Sequence, residues 1–119
     1  MGASQSFYAK FTEAFDSKDL EKISACYDDE CEWIWHSSGK TMNKEAFMSM
    51  MPNFVKMPPT VKPRCLYENA DICVYHGFNK FPDQSVEGTL MFIKLRDGKA
   101  ISVETGSTLI PKDSPNYIS

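Results

Sequence analysis

The sequence predicts an α+β domain, with its helices packed on one face of a curved antiparallel sheet. Helical periodicity is confined to roughly the first 51 of the 119 residues, and strand-like alternation dominates from Val61 onward. Asp97-Gly98, between two long alternating runs, is the strongest short hairpin signal in the chain.

The elements follow in order. Ser4 to Asp16 reads as an amphipathic helix, because Phe7, Phe11 and Phe15 recur every four residues and Tyr8 and Ala14 widen the stripe. Asp19 is placed to cap a short second helix that turns Leu20, Ile23 and Cys26 inward. The acidic Asp28-Asp29-Glu30 reads as a solvated turn. Cys31 to Ser37 then alternates as a strand, with Cys31, Trp33 and Trp35 on one side and Glu32, Ile34 and His36 on the other. After the loop Ser37-Ser38-Gly39, Asn43 caps a methionine-rich helix from Lys44 to Met51, which Pro52 is expected to stop. The meander strands are expected at Val61–Tyr67, Ile72–Asn79, Ser85–Leu95 and Lys99–Ile110, with Pro63 making the first an edge strand or delaying its start. No linker or repeat divides residues 1–119, and 111–119 reads as a C-terminal tail.

Composition excludes several roles. Hydrophobic residues make up 42% of the chain, enough for a core and too many for disorder. A net charge of −3 with no clustered Lys/Arg stripe argues against nucleic acid as a partner. No apolar run approaches the roughly 18 residues of a membrane span, and no secretory signal is visible, so a cytoplasmic location is expected. Cys26, Cys31, Cys65 and Cys73 lack CxxC spacing and read as reduced, mostly buried thiols. Zinc patterns are absent. His36 and His76 lack a third ligand in register, so no metal and no cofactor is expected. The opening Met1-Gly2-Ala3-Ser4-Gln5-Ser6 fits a myristoylation pattern, but no polybasic patch accompanies it, and Gly2 reads as incidental.

Several strings resemble the nuclear-transport-factor-two-like superfamily, which includes SnoaL-type cyclases and ketosteroid isomerase. They are Phe15-Asp16-Ser17-Lys18-Asp19-Leu20, Cys26-Tyr27-Asp28-Asp29-Glu30, Lys44-Glu45-Ala46-Phe47 and Asp97-Gly98-Lys99, and the likeness runs from about Ser4 to Ile110. The resemblance implies a cone: a curved antiparallel sheet wrapped around three N-terminal helices, with an internal apolar pocket. It also implies a homodimer through the convex sheet face. Placed on that cone, strand alternation sends Trp33, Trp35, Val74, His76, Thr89, Met91, Ile93, Val103, Thr105 and Ser107 to the concave face. Phe11, Phe15 and Met51 would close the pocket from the helices, and Tyr67 would add a hydroxyl. Glu32, Tyr75, Lys94, Ser102 and Glu104 fall to the convex side.

The isomerase mechanism does not transfer. Its tyrosine, base and second acid fall at Phe11, Trp35 and Met91, none of which can do that chemistry. What remains is a site for a small apolar or aromatic molecule, walled by Trp33 and Trp35. If an enzyme, it would be a cofactor-independent isomerase, dehydratase or cyclase with His76 as acid/base and Thr105 and Tyr67 orienting the substrate. The alternative is a non-catalytic dimerisation or protein-interaction domain in which Trp and Met fill the cone.

Overall fold

The computed structural model describes residues 6–119. The proposed start of the first helix at Ser4 and the Gly2 motif lie outside them. Ser6 caps α1 (Phe7–Ser17), its hydroxyl accepting from the Ala9 N–H, and Lys18 ends it in the left-handed region with φ 58°. Asp19 caps α2 (Leu20–Ala25) as expected, accepting from the N–H groups of Glu21 and Lys22. Asn43 does the same for α3 (Lys44–Phe54) through the Ala46 N–H.

Helix α3 runs through Pro52, which the sequence reading had as its stop. The proline falls in the last turn, where only one backbone bond is forgone, and the Val55 N–H still closes onto the Met51 carbonyl at 2.9 Å.

The strands are β1 (Tyr27–Trp35), β2 (Lys40–Asn43), β3 (Val61–Glu68), β4 (Ile72–Lys80), β5 (Val86–Arg96) and β6 (Lys99–Ile110). They form one open six-stranded sheet in the order β2-β1-β6-β5-β4-β3. The sheet is mixed, because β1 runs parallel to β6 while every other pair is antiparallel. Strand β2 was not anticipated: its four residues hold one apolar side chain, Met42, too little for alternation to register. The acidic Asp28-Asp29-Glu30 is not a turn but the irregular start of β1, where the register with β6 shifts between Tyr27 and Glu32. Of the two readings of Pro63 the edge one holds: β3 begins at Val61, lies at the end of the sheet and carries two register shifts against β4. Asp97 and Gly98, at φ 53° and 79°, make the expected tight turn between β5 and β6.

The helices cover one face of the sheet. The core there includes Phe7, Phe11, Ile23, Tyr27, Trp33, Phe47, Met51, Tyr75, Ile93 and Val103. No helix among the described residues is long and apolar enough to cross a membrane. The segment after β6 folds back on the sheet: the Tyr117 hydroxyl donates to the Gln84 carbonyl at 3.0 Å, and the Lys80 ammonium lies 5.8 Å from the Tyr117 ring centre.

Candidate functional site

The inner face of the sheet divides into a filled half and an open half. In the filled half, Trp33 projects from β1 against α3 and stacks on Phe47, with ring centres 4.0 Å apart and planes within 10°. Tyr27 packs against both rings, at 4.8 and 5.2 Å. Met51 and Val103 complete a region with no room for a ligand, since Trp33, Met51 and Val103 are all 2% exposed or less. Trp33 is therefore core and not pocket wall.

Two residues along β1 the situation changes. Trp35 stands opposite Thr105 of β6, which pairs in turn with Met91 of β5, and all three are half-buried. The next row holds Ser107 and Thr89, whose hydroxyls lie 3.2 Å apart, and the row beyond brings Leu109, Glu87 and Asn79. From the helix side Phe15 meets Phe54 edge-on at 5.9 Å, and Phe54 remains 40% exposed. This end offers apolar walls and several neutral hydrogen-bonding groups to solvent.

The β4 register is opposite to the sequence reading. Tyr75 packs edge-on against Phe11 at 5.5 Å and lies 5.9 Å from the Tyr8 ring, so Cys73, Tyr75 and Gly77 face the helices. Val74 and His76, expected in the pocket, face the convex side with Leu90 and Phe92 of β5, and Tyr75, expected on the convex side, lines the concave one. Tyr67 is also on the convex side, paired with Val74 and 58% exposed, because the bulge between Cys65 and Tyr67 reverses the alternation. Phe11, Phe15, Trp33, Trp35, Met51, Met91, Val103, Thr105 and Ser107 do lie between sheet and helices or on the concave face.

Tyr75 is the inner-face hydroxyl that sequence reasoning missed. Burial pushes it above the ordinary phenol value, and its interaction with the Thr60 hydroxyl partly offsets this. Gly77 makes the space: a Cβ there would overlap the Thr60 methyl and sit 3.1 Å from the Tyr75 hydroxyl. Glu87 is the carboxylate of the open end and has no histidine beside it. Among the described residues no group of three His, Cys, Asp or Glu converges as a metal site would need.

His76 has a different setting from the one expected. Its ring is edge-on to Phe78 at 5.0 Å and packs over Gly88, where an added Cβ would lie 3.6 Å from Nε2. Nδ1 is buried and has no hydrogen-bond partner. Around it the convex face exposes Leu90 (46%) and Phe92 (38%) beside half-buried Val74 and Phe78. Arg64 lies on the β3 side of this patch and Glu104 on the β6 side, where it takes a 3.0 Å contact from His36 Nε2.

The four cysteines are free thiols, with Cys26, Cys31 and Cys73 buried. Burial pushes Cys31 up to about 12 and Cys26 and Cys73 above their ordinary values, and Tyr27 rises for the same reason. These groups are protonated and unreactive at neutral pH. Because each holds its proton more tightly folded than unfolded, the stability they contribute is complete below pH 9 and declines as pH rises above it. The urea midpoint should fall steadily from pH 9 upward, and Cys31→Ala should flatten that slope. An alkaline slope unchanged in the variant would rule the thiol out as its source.

No family model matches the chain, and neither does any curated protein sequence. Solved structures do. An NTF-2 like protein of unknown function from Burkholderia xenovorans superposes with a TM-score of 0.73 at 14% identity, over 93% of this chain and 86% of that one. A second NTF2-like protein of unknown function, from Cytophaga hutchinsonii, gives 0.65 at 13% identity over 91% and 95%. A protein with a ketosteroid isomerase-like fold from Catenulispora acidiphila, solved with trimethylamine, gives 0.56 at 14% over 87% and 86%. At these identities the likeness is one of fold.

Proposed function

We propose that this chain, which has the nuclear-transport-factor-two-like fold, is a small-molecule-binding domain whose site is the open half of its concave face. The carrying observation is the contrast between Trp33 and Trp35. The first is sealed in a stacked aromatic core, while the second stays half-buried in a row with Met91 and Thr105, below Thr89 and Ser107. Such a surface suits a flat apolar or aromatic ligand carrying hydroxyl or carbonyl groups: the indole and thioether supply the wall, and the hydroxyl pairs fix orientation. Proton-transfer chemistry is not part of this reading. His76 stands on the other side of the sheet, and the strand partners of Glu87 are Asn79 and Leu109, neither of them an acid or a base.

Titrating hydroxy-aromatic and small carbonyl compounds against Trp fluorescence tests the idea. Saturable binding that quenches Trp35 is expected, weakened at least tenfold by Trp35→Ala and more modestly by Thr89→Val. Binding indifferent to Trp35→Ala would remove the concave face from consideration.

A second reading concerns assembly, and the exposed apolar patch on the convex face favours it. Leu90 and Phe92 stand 46% and 38% exposed there, beside half-buried Val74 and Phe78. Homodimerisation through the convex face would cover that patch.

A further inference from the structure

We propose a second, separate binding site, for a small organic anion, in the hollow between α1, α2 and the β5–β6 turn. The hollow encloses about 270 Å³. Lys10 on α1, Lys22 on α2 and Lys99 at the start of β6 all line it, so three elements each bring a cationic side chain to one space. Two carboxylates, Glu13 and Asp97, also line it, leaving the lining net positive in a chain whose overall charge is −3.

Ion pairing elsewhere at this end of the molecule leaves that excess in place. Arg96 is engaged by Asp28 at 3.3 Å and Glu30 at 3.1 Å, and Lys44 by Asp29 at 3.2 Å. Among the described residues none of these pairs draws on Lys10, Lys22 or Lys99. The Lys10 charge acts within the hollow: it favours the thiolate of Cys26 against the opposing effect of burial. The Gly98 backbone at φ 79° lets the turn come in under this group, and a Cβ there would sit 3.8 Å from the Lys10 Nζ.

The chemistry selects the ligand. Three flexible ammonium groups present point charges rather than the planar fork of arginine, which suits a compact anionic head with several oxygens, a phosphate or a carboxylate. The floor includes Phe7 and Ala14, both buried and apolar, so a short apolar body can follow the head inward. The volume lies below the usual range of about 300–1,000 Å³ for drug-sized ligands, which restricts that body to about one ring.

Phenyl phosphate titrated into the full chain at low ionic strength, followed by the amide signals of Ala14, Gly98 and Lys99, tests this. Saturable shifts are expected at those amides and not at Trp35 or Thr105, weakening with added salt. Lys10→Ala, Lys22→Ala and Lys99→Ala should each weaken binding about 2- to 5-fold, the effect of losing one exposed charge contact. The triple variant should lose it while keeping its thermal midpoint, and Lys112→Ala should leave it unchanged. Inorganic phosphate and benzoate separate the two head groups: saturation by either at the same amides supports the site and identifies the head. Non-saturating shifts, equal binding of neutral phenol, or a triple variant that binds as wild type would overturn it.

Discussion

Replacing Trp33 by alanine should lower the unfolding free energy by about 3–5 kcal/mol, the range for emptying a large aromatic from a close-packed core. The side chain is 2% exposed and lies flat on Phe47 at 4.0 Å, with Tyr27 tilted against it at 4.8 Å. Its loss therefore removes apolar burial and two aromatic contacts at once, and Met51 on α3 loses a neighbour in the same cluster. Set against a typical total of about 5–15 kcal/mol, this is a large fraction of the stability, and it approaches the whole only at the low end of that range. Trp35→Ala makes the useful comparison. That indole is half-buried, so its removal should cost about 1–2 kcal/mol from apolar burial alone. Urea titrations of both variants measure the gap directly. Equal losses would mean that the two tryptophans are equivalent, and the division into a filled half and an open half would fail.

That division was only partly legible in the sequence. The helices, their caps and the β5–β6 turn announced themselves because each carries an unambiguous local signal: Phe7, Phe11 and Phe15 at four-residue spacing, Asp19 and Asn43 as caps, and Asp97-Gly98 as a turn. Register on β1 and β6 was also readable, since Trp33 and Trp35 alternate with the charged Glu32 and Glu104 falls outward as expected. Strand β4 gave no such contrast. Ile72, Val74, His76 and Phe78 on one side and Cys73, Tyr75 and Gly77 on the other are both compatible with burial, so alternation could not choose between them. What decides is tertiary: Gly77 is the position that tolerates Thr60 overhead, and Tyr75 is the ring that fits against Phe11. Tyr67 was misplaced for another reason, since a bulge is invisible to a period-two reading.

With His76 on the outside, the convex face becomes the setting of the second large expected effect. Wild-type protein should sediment as a dimer at micromolar concentration, and Leu90→Glu with Phe92→Glu should weaken association at least 100-fold, about 3 kcal/mol. Both side chains are already 46% and 38% exposed in the isolated chain, so the fold should tolerate the changes. In the dimer they would fall near the two-fold axis, where carboxylates from both copies would be desolvated against one another. The flanking charges allow a sharper test. A two-fold axis along the β4–β5 seam sets β3 of one copy over β6 of the other, bringing Arg64 toward Glu104. Arg64→Glu alone should then weaken the dimer, and adding Glu104→Arg should restore it, because the swap rebuilds the pair with reversed sign. Unassociated patches do not show such rescue. If the wild type sediments as a monomer at 100 times that concentration, about 0.1 mM, the convex face is not a homodimer interface. If instead it dimerises and the double glutamate variant dimerises equally well, the interface lies on another surface.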